Sequence, residues 1–195
     1  GLALATPLMA ACQKNTMQNL AKTQIAFIKT NDRAKGVAQA IDLLKLPNFK
    51  KKELFIKPNF NSADETPGST HNDTLKTLIS KLREMESGKL TIGDRSGMGN
   101  TNDVFENKKI FAMANDLNVN TIVFDTLKKD DWEFINFDGS HWKQGFYIPK
   151  PLKNAGGIIQ TCCLKTHRYG GHFTLSLKNS VGIAAKRVPE NDYNF

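Results

Sequence analysis

Short apolar runs rich in strand formers alternate along this chain with longer segments whose apolar residues recur at helical spacing. Residues 23–28 (TQIAFI) read as a strand, and Asn31-Asp32 then offers a helix start. Val37, Ala38, Ile41, Leu43 and Leu44 follow on one helical face, with Pro47 as the stop. Residues 53–57 (ELFIK) give a second strand closed by Pro58, and 63–70 (ADETPGST) have the composition of a loop. Asn72-Asp73 caps a helix carrying Leu75, Leu78, Ile79 and Leu82. A third strand at 89–92 (KLTI) leads into a glycine-rich loop at 93–102. A helix is expected from about Asp103 to Leu117, and a fourth strand at 120–124 (NTIVF).

Strand and helix in strict alternation predict a mostly parallel sheet with helices on both faces, an α/β domain of Rossmann-like layout. The rhythm breaks at 132–147, which reads as one or two short strands in a hairpin-like excursion, punctuated by Pro149-Lys150-Pro151. Residues 157–163 (GIIQTCC) are a further buried strand, and 174–181 open a helix. No repeat or low-complexity linker divides the chain, so residues 21–195 are expected to form one domain behind an N-terminal segment at 1–20.

Charge changes this picture in one place. Of 27 Lys and Arg and 19 Asp and Glu, eight of the basic residues and none of the acidic ones fall between His141 and Val188. The rest of the chain is therefore neutral, and the whole excess of +8 sits in one segment. Such a segment is either a solvated basic surface or a face for phosphate, carboxylate or nucleic acid. Few aromatics are interleaved with its lysines, which ranks nucleic acid below a small anion. The cysteines are Cys12, Cys162 and Cys163, with no C-x-x-C, so this chain holds neither a zinc ribbon nor a four-cysteine iron–sulfur motif. The adjacent Cys162 and Cys163 are read as opposite faces of a strand, with a vicinal disulfide or redox pair as the alternative. The start, GLALATPLMAAC, has the look of a signal-peptide apolar region, and Met9-Ala10-Ala11-Cys12 resembles a loose lipobox. This points to export or a lipid anchor at Cys12, the alternatives being a docking segment and a cytoplasmic protein. No run reaches the roughly 18–20 apolar residues that span a bilayer.

In an open parallel sheet, ligands bind at the carboxyl ends of the strands. There this sequence places Lys57-Pro58-Asn59, the loop GDRSGMGN at 93–100, Asp125-Thr126, and Lys165-Thr166-His167. Glycines let a backbone approach an anion, but the loop lacks the P-loop ending and the G-x-G-x-x-G spacing. Asp94 is suited to a metal, a ribose hydroxyl, Arg95 or a helix cap. Histidine is the side chain best suited to proton transfer at physiological pH, which makes His167 the candidate general acid/base, with Lys165 close by. His167 and His172 do not make a metal site without a third ligand, for which Asp94 and His71 are the candidates. No metal is therefore assigned, and no cofactor is identified.

Lys57-Pro58-Asn59, Thr70-His71, Ile92-Gly93-Asp94, Leu164-Lys165-Thr166-His167 and Thr174–Asn179 together resemble domain-of-unknown-function family 362, over roughly residues 57–182. Members are often bacterial or archaeal, and some carry export signals or ferredoxin-type cysteine clusters. The resemblance implies no established reaction. It adds Thr70, His71 and Asn179 to the candidate ligand-binding residues. Similar proteins continue beyond the Leu177-Lys178-Asn179 segment into a further α/β portion, so this chain is read as a short member, a fragment or one piece of a longer product. The expectation is thus an enzyme-like domain handling a small anionic compound. Lys57, Asn59, Lys165 and Lys178 would hold the anion, His167 would move protons, and Asp94 would position a hydroxyl or metal. The alternatives are a non-catalytic extracytoplasmic anion-binding protein and nucleic-acid binding through 141–188. The sequence leaves ligand identity and oligomeric state open.

Overall fold

The computed structural model describes residues 23–167, 171–187 and 189. In chain order these form α1 (Arg33–Leu43), β1 (Leu54–Pro58), α2 (Asn72–Glu84), β2 (Leu90–Asp94), α3 (Thr101–Asn107) and α4 (Ile110–Asp116). Then come β3 (Asn120–Val123), β4 (Trp132–Ile135), β5 (Phe146–Pro149), α5 (Lys150–Lys153), β6 (Gly157–Thr161), β7 (Lys165–His167), β8 (Gly171–Thr174) and α6 (Ser176–Ser180). Four strands make a wholly parallel sheet in the order β3-β2-β1-β6. This is the α/β, Rossmann-like arrangement expected from the alternation of elements.

The apolar pattern explains the layering. Every residue of β1 is buried, as a central strand covered on both faces requires. Leu54 and Ile56 face one side with Ile92, where α2 supplies Leu75, Leu78, Ile79 and Leu82, and α3 and α4 supply Val104, Phe105, Ile110 and Met113. Phe55 faces the other side, against Phe124 and Leu152. Gly93 is required for that second layer. A Cβ there would stand 2.3 Å from Cζ of Phe55 and 2.9 Å from Cε1 of Phe124.

The excursion at 132–147 is an antiparallel hairpin of β4 and β5. Three expectations are corrected. Residues 23–28 form no strand and join no ladder. The helix expected from Asp103 to Leu117 is two helices, broken where Lys109 takes a left-handed conformation, φ 55°. The cap of α2 is His71, not Asn72-Asp73, its Nδ1 accepting from the Asp73 N–H. Among the described residues no helix is long and apolar enough to cross a membrane. Cys12, the expected lipid-attachment point, and residues 168–170 lie outside the described residues.

Candidate functional site

At the carboxyl edge of the sheet, β1 ends in Lys57-Pro58 and the neighbouring β2 ends in Asp94. Their side chains meet at 2.5 Å, and each residue is only 1% exposed. The ammonium also donates to the Pro58 carbonyl at 2.9 Å and reaches Oδ1 of Asn179 at 3.4 Å. Asn179 returns its amide to the Lys57 carbonyl. The Asp94 carboxylate accepts from the backbone N–H groups of Phe60 at 2.8 Å and Arg95 at 2.7 Å. Burial pushes the Lys57 amine below its ordinary value and the Asp94 carboxyl above its own, while each charge pulls the other back. Every polar atom of the pair thus has a protein partner. Gly182 roofs it, since a Cβ there would lie 3.0 Å from Lys57 Nζ.

Towards β6 the edge is tied by Thr70. Its hydroxyl donates to the Thr161 carbonyl at 2.5 Å and accepts from the Asn59 N–H at 2.9 Å. The gap between β1 and β6 is where the chain reverses its direction of travel across the sheet, the usual place for a ligand crevice. The Lys165 ammonium is bound to the Gly68 carbonyl, which fastens the β7–β8 hairpin to the loop before α2. His167 ends β7, half-buried and opposite Gly171, while His172 on β8 is exposed. Cys162 contacts the Ser176 hydroxyl at 3.3 Å, and both Cys162 and Cys163 are free thiols. Among the described residues, no three His, Cys, Asp or Glu side chains converge as a metal site. The structure therefore brings Lys57, Asp94 and Asn179 into direct contact, with Asn59 and Thr70 beside them. His71 is occupied as a helix cap, and Lys178 is exposed on α6.

Beyond Asp94 the edge opens. Arg95 crosses to the Ala184 carbonyl at 2.8 Å and the Val181 carbonyl at 3.3 Å, and Lys186 donates to the Ser96 carbonyl at 3.2 Å. Partial burial lowers the Arg95 guanidinium from its usual value, opposed by Asp125 and Asp94. These bonds draw the end of the basic segment across the ends of β2 and β3. The result is a cleft of about 400 Å³ lined by the loop at 99–102, Asp125, Trp132, Lys186 and Arg187. The Thr101 hydroxyl donates to the Asp125 carboxylate and accepts from the Ser96 N–H, holding both loops in register. Sequence reasoning had the glycine loop and Asp125-Thr126 at a strand end, but not Trp132, Lys186 and Arg187 as its wall. Lys186 and Arg187 counted only towards the charge of their segment.

A family model described as Domain of unknown function (DUF362) matches residues 54–193. The chain belongs to the DUF362 family. No curated protein and no solved structure matches it. The match takes in the whole parallel sheet of this DUF362 domain and leaves α1 outside. Three of the segments that carry the resemblance to this family are brought together here. Lys57-Pro58-Asn59, Gly93-Asp94 and Ser176–Asn179 surround one buried ion pair.

Proposed function

We propose that this DUF362 domain is an enzyme-like protein that handles a small anionic compound, a carboxylate or a phosphate, at the carboxyl ends of its parallel strands. The observation that carries this reading is the cleft beyond β2 and β3. It is concave, lies on the edge where open α/β sheets bind ligands, and is lined by Lys186 and Arg187 from a segment with no acidic residue. The two cations suit the anionic group. Asp125, already held by Thr101, suits a hydroxyl of the same molecule, and Trp132 gives an apolar wall. Lys165, His167 and Lys178 stand along the same strand-end side of the domain and remain the candidates for proton transfer and further charge. The Lys57–Asp94–Asn179 cluster, beside the cleft and not among its lining residues, is a neutral, self-satisfied unit rather than a free cation.

That self-satisfaction supports a second reading, a non-catalytic anion-binding protein, because a buried acid and amine that already hold each other supply no spare base. Turnover of a bound acid separates the two readings.

The test is a titration with inorganic phosphate and with small di- and tricarboxylates, followed by the fluorescence of Trp132 in a Trp142→Phe background. Saturable quenching is expected, weakened at least about tenfold in Lys186→Gln/Arg187→Gln, a loss of about 1.4 kcal/mol. Equal affinity in wild type and double variant would remove the cleft from the proposal.

A further inference from the structure

Residues 23–30 lie beside α1 without a ladder partner, although their composition is that of a strand. Their burial alternates. Ala26 and Ile28 are half-buried, while Ile25 and Phe27 are 87% and 85% exposed. This is the period-two pattern of a strand with one face covered and the other bare.

Three contacts fix the direction of this strap. Gln24 Oε1 accepts from the Lys45 N–H, just past the end of α1. At the other end, Ile28 and Thr30 lie against Gly36 in the first turns of α1. The strap therefore runs antiparallel to α1. Because α1 leads back to the start of β1, the strap runs in the same sense as β1 and the rest of the parallel sheet.

The position follows from handedness. α1 packs on α2, and its Ile41 adds to the core layer of Ile56 and Ile92. It shares that face with α2, α3 and α4, the crossovers that carry the chain from β1 to β2 to β3. A crossover between parallel strands is right-handed in nearly all cases. A strand that enters β1 through a helix on this face must therefore come from the β6 side. The chain between α1 and β1 is found there: Phe49 lies beside Gly157, and Lys52 beside Gly156. β1 is already flanked by β2 and β6, so the free place is outside β6. That edge carries no ladder partner among the described residues. The face of β6 away from α1 also leaves Ile158 45% exposed, although it is flanked by the half-buried Gly157 and Ile159.

We infer that residues 23–30 are a strap that closes onto β6 as a fifth parallel strand. In the closed form Ile25 and Phe27 lie beside Ile158, and an exposed apolar strand and an open sheet edge, each a liability on its own, cover one another. Closure also carries Lys29, Thr30 and Asn31 to the strand-end rim next to Thr161 and Cys162. The open form is the one described above.

Amide hydrogen exchange on the full chain tests this. Closure is expected to slow exchange within residues 24–28 by at least about 100-fold relative to an unstructured peptide, and to protect β6 beyond its ladder with β1. Phe27→Asp, at an exposed position, is expected to abolish protection of the strap and lower that of β6. β1 and β2 should keep theirs, which shows that the domain still folds. Exchange of the strap at unstructured rates in the wild type would overturn the proposal. So would β6 protection that rises with protein concentration and ignores Phe27→Asp, since the edge would then pair with a second copy.

Discussion

Replacing Lys57 by Met removes one charge from a site where neither partner reaches water. Asp94 then stays buried with only the Phe60 and Arg95 N–H groups to hold it, and the Pro58 carbonyl and Asn179 Oδ1 lose their donor. Breaking a buried pair from one side costs about 3–5 kcal/mol, a large part of the stability of an ordinary domain. Asp94→Asn breaks it from the other side and strands the ammonium. The double variant leaves no unpaired charge, since Met and Asn are both neutral and Asn keeps an acceptor for the Phe60 N–H. Urea unfolding at neutral pH, followed by circular dichroism, closes the cycle. Lys57→Met should lose about 3–5 kcal/mol, and the double variant should be more stable than the sum of the singles by about 2 kcal/mol. Singles costing less than about 1 kcal/mol each and adding without coupling would refute the view that these two residues form one buried unit.

The same pair sets an expected pH dependence. Asp94 is raised by burial, so its contribution is fully present below the unfolded carboxyl value of 3.8 and is lost as pH rises through its folded value. Lys57 is lowered by burial, so its contribution is present above 10.5 and is lost as pH falls through its folded value. Because the two groups hold each other, the wild type should change stability with pH more steeply than the double variant, which carries neither charge, as read by urea midpoints across pH; parallel profiles would refute the coupling. Gly93→Ala should cost about 1–3 kcal/mol in the same unfolding assay, because its methyl would meet the Phe55 and Phe124 rings. His71→Ala should cost about 0.5–2 kcal/mol through the lost cap of α2, a cost that His71→Asn largely restores. If His71→Asn were no better than Ala, the cap would not be its structural role.

The sheet was legible because its central strands are continuous apolar runs separated by helices with strong periodicity, a pattern few other folds share. The run at 23–28 has the same local signal, yet a ladder needs a neighbour, and no single segment announces its partner. The break between α3 and α4 at Lys108-Lys109 carries no Gly or Pro, so nothing local marked it. Of the candidate site, the strand ends could be found from topology alone. That Lys57 would meet Asp94 depends on the parallel register in which Leu54 faces Leu90, and sequence spacing does not encode register. Lys186 and Arg187 reach the β2–β3 end only because Arg95 and Lys186 fasten residues 181–186 there, a long-range arrangement with no local signature.

The most direct measurement of the central claim is an NMR titration of the full chain with inorganic phosphate, read amide by amide. Saturable shifts confined to residues 97–102, Asp125 and residues 185–187 are expected, with β4 and β5 unmoved except near Trp132. Shifts that never saturate, or that scatter over the lysines of the whole surface, would contradict an anion site at the carboxyl ends of these strands.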